Sequence, residues 1–326
     1  MSTLTGTKKT ADAATTGRDR GPLRGMAWLV WRRNRAAFLL LAAVTVVVCA
    51  YCLYHRAGVL DFVARYGNDA RYAEKFDEAY KPVFDRLFAL SGLPALLAVF
   101  LGAPLISGEQ EHGTVRLATT QSVTRTRWIA VTVALPMLVV LVCTTLVSLA
   151  FTALWSPASR LVNYGDWLGG TIFDITGPVP VATALFLTSC GIALGLLVRR
   201  VVPAMLLTLV AAFGTSIAWS YLRTRLATPH SLTGPASGDY PDIPDGAINF
   251  DQWLGTADGR LLGYGTCVDA KNEAACYADH GIVHKIVEYF SLDQMAGMQW
   301  RGAGLLLVLT VLFVAFIVQW TRRRPL

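Results

Sequence analysis

Ile106-Ser-Gly-Glu-Gln-Glu-His-Gly-Thr-Val-Arg-Leu-Ala-Thr-Thr-Gln-Ser-Val-Thr-Arg-Thr-Arg127 is a polar island between two long runs, residues 87–106 and 128–155, that carry no charged side chain. Each run is long enough to cross a hydrocarbon core of about 30 Å, which takes roughly 20 helical residues. The island is therefore a short connection between two membrane helices. The same test, extended along the chain, finds four more spans at residues 36–54, 178–198, 201–222 and 302–320. Composition agrees: 54% of the 326 residues are hydrophobic and only 16% charged, too apolar a balance for a soluble domain of this size. The expected fold is an all-α polytopic membrane protein with six transmembrane helices and one large loop, residues 223–301, before the last helix.

Charge orients it. With the N-terminus placed inside, the inner segments hold 16 basic and 4 acidic residues, whereas the three outer loops hold 12 basic and 18 acidic, with Arg301 left at the boundary. The positive-inside rule then puts both termini and the island in the cytoplasm of a cell inner or plasma membrane, and residues 223–301 outside. The net charge of +7 is accounted for by orientation. No basic stretch interleaved with aromatics suggests a nucleic-acid partner.

Within the island, Ser107 and Gln110 have the spacing of a reciprocal helix cap, and Glu109 and Glu111 would favour the partly positive end of a helix. Gly113 interrupts, and Thr114 offers a second cap for a short helix over residues 115–120. The expectation is two short helical pieces joined at a glycine, with Arg116, Arg125 and Arg127 on the far side. On residue chemistry alone, a solvated cytoplasmic loop would look the same.

The stretch resembles the signature of type-two ABC exporter permeases, the drug and polysaccharide export class. An acidic turn with Gly-Thr reads Glu109-Gln-Glu-His-Gly-Thr114, a short aliphatic helix Val115-Arg-Leu-Ala118, and a Ser/Thr-Arg element Val123-Thr-Arg125. Two positions depart from the pattern: Ser122 stands where a proline is usual, and Val131 and Thr132 where a lysine often opens the third helix. The resemblance implies that residues 107–127 form a coupling segment docking on a separate ATP-binding subunit, with Glu109, Glu111, Gly113, Thr114, Arg116 and Arg125 as the coupling residues. It also implies a second permease, identical or not, and places ATP and Mg on the partner, leaving this chain without a cofactor.

Residues 1–22 are polar, lack an apolar signal region and are expected to form a disordered cytoplasmic tail. Residues 23–35 place Leu23, Ala27, Val30 and Trp31 at helical spacing beside Arg24, Arg32, Arg33 and Arg35, the make-up of an interfacial amphipathic helix or of a basic flank that orients the first span. Residues 36–222 hold spans one to five, and residues 302–326 the sixth span and a basic tail. Gly92, Pro94, Gly102 and Pro104 should bend span two. Gly191-Ile-Ala-Leu-Gly195 offers a close-packing face, within the subunit or between two.

In the large loop, residues 228–246 read as irregular chain and residues 280–289 as a helix. Cys267 and Cys276 lie outside the spans and are a candidate disulfide. Cys276, His280 and His284 would also share one helix face, leaving zinc to be weighed. The eight intervening residues exceed the usual spacing of structural zinc ligands, so no metal site is assigned.

The spans contain no Asp, Glu, Lys, Arg or His, which argues against proton-coupled transport and intramembrane proteolysis. The chain has no phosphate-cradling Gly-x-x-x-x-Gly-Lys-Ser/Thr and no catalytic motif, so it is not expected to be an enzyme. Two functions remain: the permease subunit of an ATP-driven exporter for an apolar or amphipathic cargo, or a non-transporting sensor or scaffold that binds a ligand through its outer loop.

Overall fold

The computed structural model describes residues 26–111, 125–169 and 171–323. The expected tail 1–22 and the island residues Gly113, Thr114 and Arg116 lie outside the described residues. Among the described residues, six helices are long and apolar enough to cross a membrane: Ala27–Tyr66, Ala70–Glu111, Arg127–Ala158, Val179–Val198, Val201–Arg223 and Leu292–Arg323, here spans one to six. Five contain the stretch expected from the sequence, and span four starts one residue later than expected, with Pro178 as its N-cap. The molecule is an all-α polytopic membrane protein with one small sheet. Its two ends are called the island end, from which residues 112–124 leave and return, and the sheet end.

Span one is a single helix, Met26–Tyr66. A separate interfacial helix ending at residue 35 is not what forms: from Met26 that segment is the first turns of the span itself. The cause is local, because no glycine or proline interrupts the chain from Met26 until Gly58. Span six likewise starts at Leu292, ten residues before the expected boundary.

Span two is broken as its composition demands. Helical pieces Ala73–Phe88, Leu93–Leu97 and Ala103–Glu111 are joined by tight turns and by a wide π-turn, Ala98–Gly102. Pro104 has no N–H and its ring would crowd the Phe100 carbonyl in a regular helix; the wide turn absorbs that clash.

Span four is the hub, with 72% of its apolar stretch buried against 22% for span one and 17% for span five. Its glycines meet span two. A Cβ on Gly191 would lie 2.6 Å from the Ala98 carbonyl oxygen, and one on Gly102 only 2.7 Å from that of Thr188. Gly195 faces the Ala103 backbone in the same way. The small-residue face is thus used inside the chain, where it lets two backbones touch.

At the sheet end, spans one and two project as a hairpin zipped by aromatic contacts, Phe62 to Phe76 at 5.2 Å and Phe84 to Phe151 of span three at 6.2 Å. The core continues through Trp155, Trp167, Phe173, Phe290 and Met298. Buried Gln299 of span six locks it, its amide nitrogen lying 3.2 and 3.1 Å from the carbonyl oxygens of Phe173 and Thr176.

The large loop is a folded unit. Strands β1 (His230–Pro235), β2 (Ile248–Thr256), β3 (Leu261–Gly263) and β4 (Ile282–Phe290) form an antiparallel sheet in the order β1-β4-β2-β3. Two expectations are corrected. Residues 228–246 include β1, and residues 280–289 are a two-residue turn followed by β4 from Ile282. The run Ile282-Val-His-Lys-Ile-Val-Glu-Tyr-Phe290 is β-branched and aromatic, and that preference prevails over the helical spacing of His280 and His284. The helix of this region is Glu273–Asp279, capped by the Asn272 side chain and followed by Gly281 at φ +65°.

The Cys267 and Cys276 sulfurs are joined, with Cα atoms 6.0 Å apart. His280 Nδ1 lies 3.7 Å from Cys276 Sγ. His284 belongs to β4, opposite Gly255, so the three residues do not share one helix face. The unit rests on the bundle through the Trp167 indole, which donates to the Gly246 carbonyl at 3.2 Å.

Candidate functional site

The island end of span two is where the sequence reading and the structure meet. Helix Ala103–Glu111 carries the island's first six residues, 106–111, without a break. Ser107 is therefore not a helix cap: it is buried mid-helix, and its hydroxyl donates to the Ala103 carbonyl at 2.7 Å. The continuity points Glu109 and Glu111 toward different neighbours.

Glu109 pairs with the Arg33 guanidinium of span one. Its side chain keeps 14% of its exposure and that of Arg33 40%, so the pair is half withdrawn from solvent. Glu111 reaches the start of span five, where Val201 N–H donates to its Oε2 at 2.8 Å. The first amides of a helix have no partner within it, and the helix dipole makes that end partly positive; a carboxylate satisfies both. Gly108 sits between the two contacts, where an added Cβ would come within 3.4 Å of Arg33 and 3.8 Å of Val201. Spans one and five thus converge on one turn of span two.

The far side of the island is anchored as well. Arg125 opens the helix Arg125–Trp155 of span three. Trp128 and Ile129 are buried there with Ile106 of span two, Ile192 and Leu196 of span four and Ile317 of span six. Residues 112–124 therefore leave from and return to a single packed core.

Of the residues singled out from sequence, the structure brings together Glu109 and Glu111; Arg125 lies across the same core, and Cys267 and Cys276 are in the sheet unit. Arg33 and the Val201 amide were missed as partners. Arg33 was visible only as one of several basic flanking residues, whereas the Arg199-Arg200 turn before a long apolar run marks a helix start with unpaired amides.

A third missed group is Asp174, in the short helix Ile172–Ile175 between spans three and four. Its Oδ1 accepts the Trp219 indole N–H at 2.6 Å, and Arg223 Nη1 lies 3.5 Å from Oδ2. Burial pushes its carboxyl above the usual carboxylate range, while the indole hydrogen bond and the Arg223 charge pull it back in part.

Most hydroxyls within the spans serve their own helices: Thr45, Thr144, Thr145 and Thr208 each donate to a carbonyl four residues back. Ser148 is different, bonding the Gly177 carbonyl at 2.7 Å and tying span three to the start of span four.

The sequence model of the family described as ABC-2 membrane transporter related matches residues 42–223. The matched region takes in spans two to five and most of span one, and it stops where the sheet unit begins. No curated protein and no solved structure matches the chain.

Proposed function

Because the chain belongs to the ABC-2 membrane transporter related family, we propose that it is the membrane-spanning permease subunit of an ATP-binding-cassette exporter, driven by ATP hydrolysed on a separate subunit. The observation that carries this proposal is the three-span junction at Glu109 and Glu111. An ATP-binding subunit docked on residues 112–124 would hold the segment whose two ends are rooted in spans two and three. Its movement would reach spans one and five, the two spans least held by the rest of the chain. Those two present broad apolar faces, suited to lipid and to a second permease.

Both termini and the island lie in the cytoplasm on this proposal, and the sheet unit lies outside, where an oxidising compartment sustains the Cys267–Cys276 bond. The cargo is apolar or amphipathic, since the expected spans 36–54 through 302–320 offer hydroxyls but no charge.

The test is purification of the permease with and without a candidate ATP-binding subunit, followed by ATP-dependent transport in proteoliposomes over a cargo panel. Stable co-purification and ATP-dependent movement of an amphipathic cargo are expected. A permease that binds no such subunit, but does bind a ligand through the sheet unit, would instead identify a sensor or scaffold.

A further inference from the structure

Near the sheet end, a cavity of 400 Å³ is walled by spans two, four, five and six and by the segment that precedes span four. Its wall is mostly apolar, with Leu209, Phe213 and Leu306 along it, interrupted by the hydroxyls of Ser91, Thr183 and Ser216. Among the described residues, Asp174 is the charged side chain of that wall.

The carboxylate is fixed from behind. Trp219, which donates to Oδ1, is wedged against Gly302 of span six, where an added Cβ would come within 2.6 Å of the ring. Oδ2 faces Arg223 Nη1 at 3.5 Å, longer than a direct hydrogen bond, while Nη2 of the same guanidinium donates to the Gly169 carbonyl at 3.2 Å. Asp174 keeps 31% of its side-chain exposure, and a carboxylate oxygen can accept more than one donor.

We propose that this cavity binds a small amphipathic amine, its ammonium on Asp174 and its apolar body along Leu209, Phe213 and Leu306. An anion would be repelled by the wall's carboxylate. A neutral body of the same shape would remove water from Asp174 without replacing its hydrogen bonds, which is costly. An ammonium supplies those bonds as a charged donor and also meets the rings of Trp219 and Phe213. A site of a few hundred Å³ suits a drug-sized molecule. That the bound amine is cargo rests on the export proposal; the binding site itself does not, and the test reads binding alone.

The probes are naphthylethylamine and its neutral counterpart naphthylethanol, in equilibrium dialysis against the full chain in lipid nanodiscs, with empty nanodiscs subtracted. At about neutral pH the amine is expected to bind about tenfold tighter than the alcohol or better, and Asp174→Asn to erase that preference. Ala212→Phe fills the cavity and leaves Asp174 and its partners in place, and it is expected to weaken the binding of both probes. Equal binding of the two probes by the unaltered chain, a preference that survives Asp174→Asn, or amine binding unchanged by Ala212→Phe would each overturn the site. Since no ATP-binding subunit is present, that failure would leave the export proposal standing, and an export failure would leave a positive binding result intact.

Discussion

Glu109, Glu111 and Asp174 are each held differently. The Glu109–Arg33 pair is partly withdrawn from water, which places it between a surface pair, worth little, and a buried pair whose desolvation offsets its attraction. A double-mutant cycle of Arg33→Ala and Glu109→Ala, read by thermal unfolding in nanodiscs, should give a coupling of about 1 kcal/mol. A coupling indistinguishable from zero would mean that the contact holds nothing. Asp174 behaves in the opposite sense to a salt-bridged acid. Burial raises its folded carboxyl above the ordinary value of 3.8, so the folded state holds its proton more tightly than the unfolded chain does. Its favourable contribution is complete below that value and is lost as pH rises through the raised one. Asp174→Asn should therefore gain thermal stability relative to the unaltered chain between about pH 4 and about pH 7. A difference in unfolding temperature that stays flat over that range would contradict the assignment.

At the scale of elements, the contact between spans two and four does most to define the bundle. Gly191 and Gly195 bring span four against the π-turn of span two, and any side chain at Gly191 would strike a backbone carbonyl that cannot swing away. Gly191→Val should cost about 3 kcal/mol or prevent stable insertion, at the upper end of what overpacking does. Gly214 of span five provides the contrast, because an added Cβ there would meet no atom within 4 Å. Gly214→Val should leave membrane abundance and unfolding temperature unchanged. Equal tolerance at both positions would show that the two spans do not pack as described. The sheet unit obeys other rules: its strands come from β-branched and aromatic runs, and Leu254, Cys267 and Ile282 form a small core of their own beside the bonded cysteines.

For the whole molecule, what the sequence disclosed follows from the physics of a bilayer. A span must be apolar over a fixed length, so all six helices were legible, and the prolines and glycines of span two announced its bend. The sheet unit was not legible in the same way. His280 and His284 have helical spacing, and only the β-branched residues around them carried the contrary signal. Nor could spacing disclose that Glu111 meets the start of span five or that Asp174 meets Trp219, since both contacts join segments 45 residues apart or more. Glu109 and Glu111 drew notice as acidic residues in a polar island; the structure adds that both are engaged inside the chain, and on the export proposal their part is to transmit motion, the docking falling to neighbouring residues.

The most direct measurement is therefore transport per ATP hydrolysed, in proteoliposomes holding the permease and its ATP-binding subunit, for the Glu109→Ala, Glu111→Ala double variant at unaltered membrane abundance. The junction predicts that the subunit still binds and ATP is still hydrolysed, while cargo moved per ATP falls about tenfold or more. Cargo moved per ATP equal to that of the unaltered chain would show that the two carboxylates couple nothing.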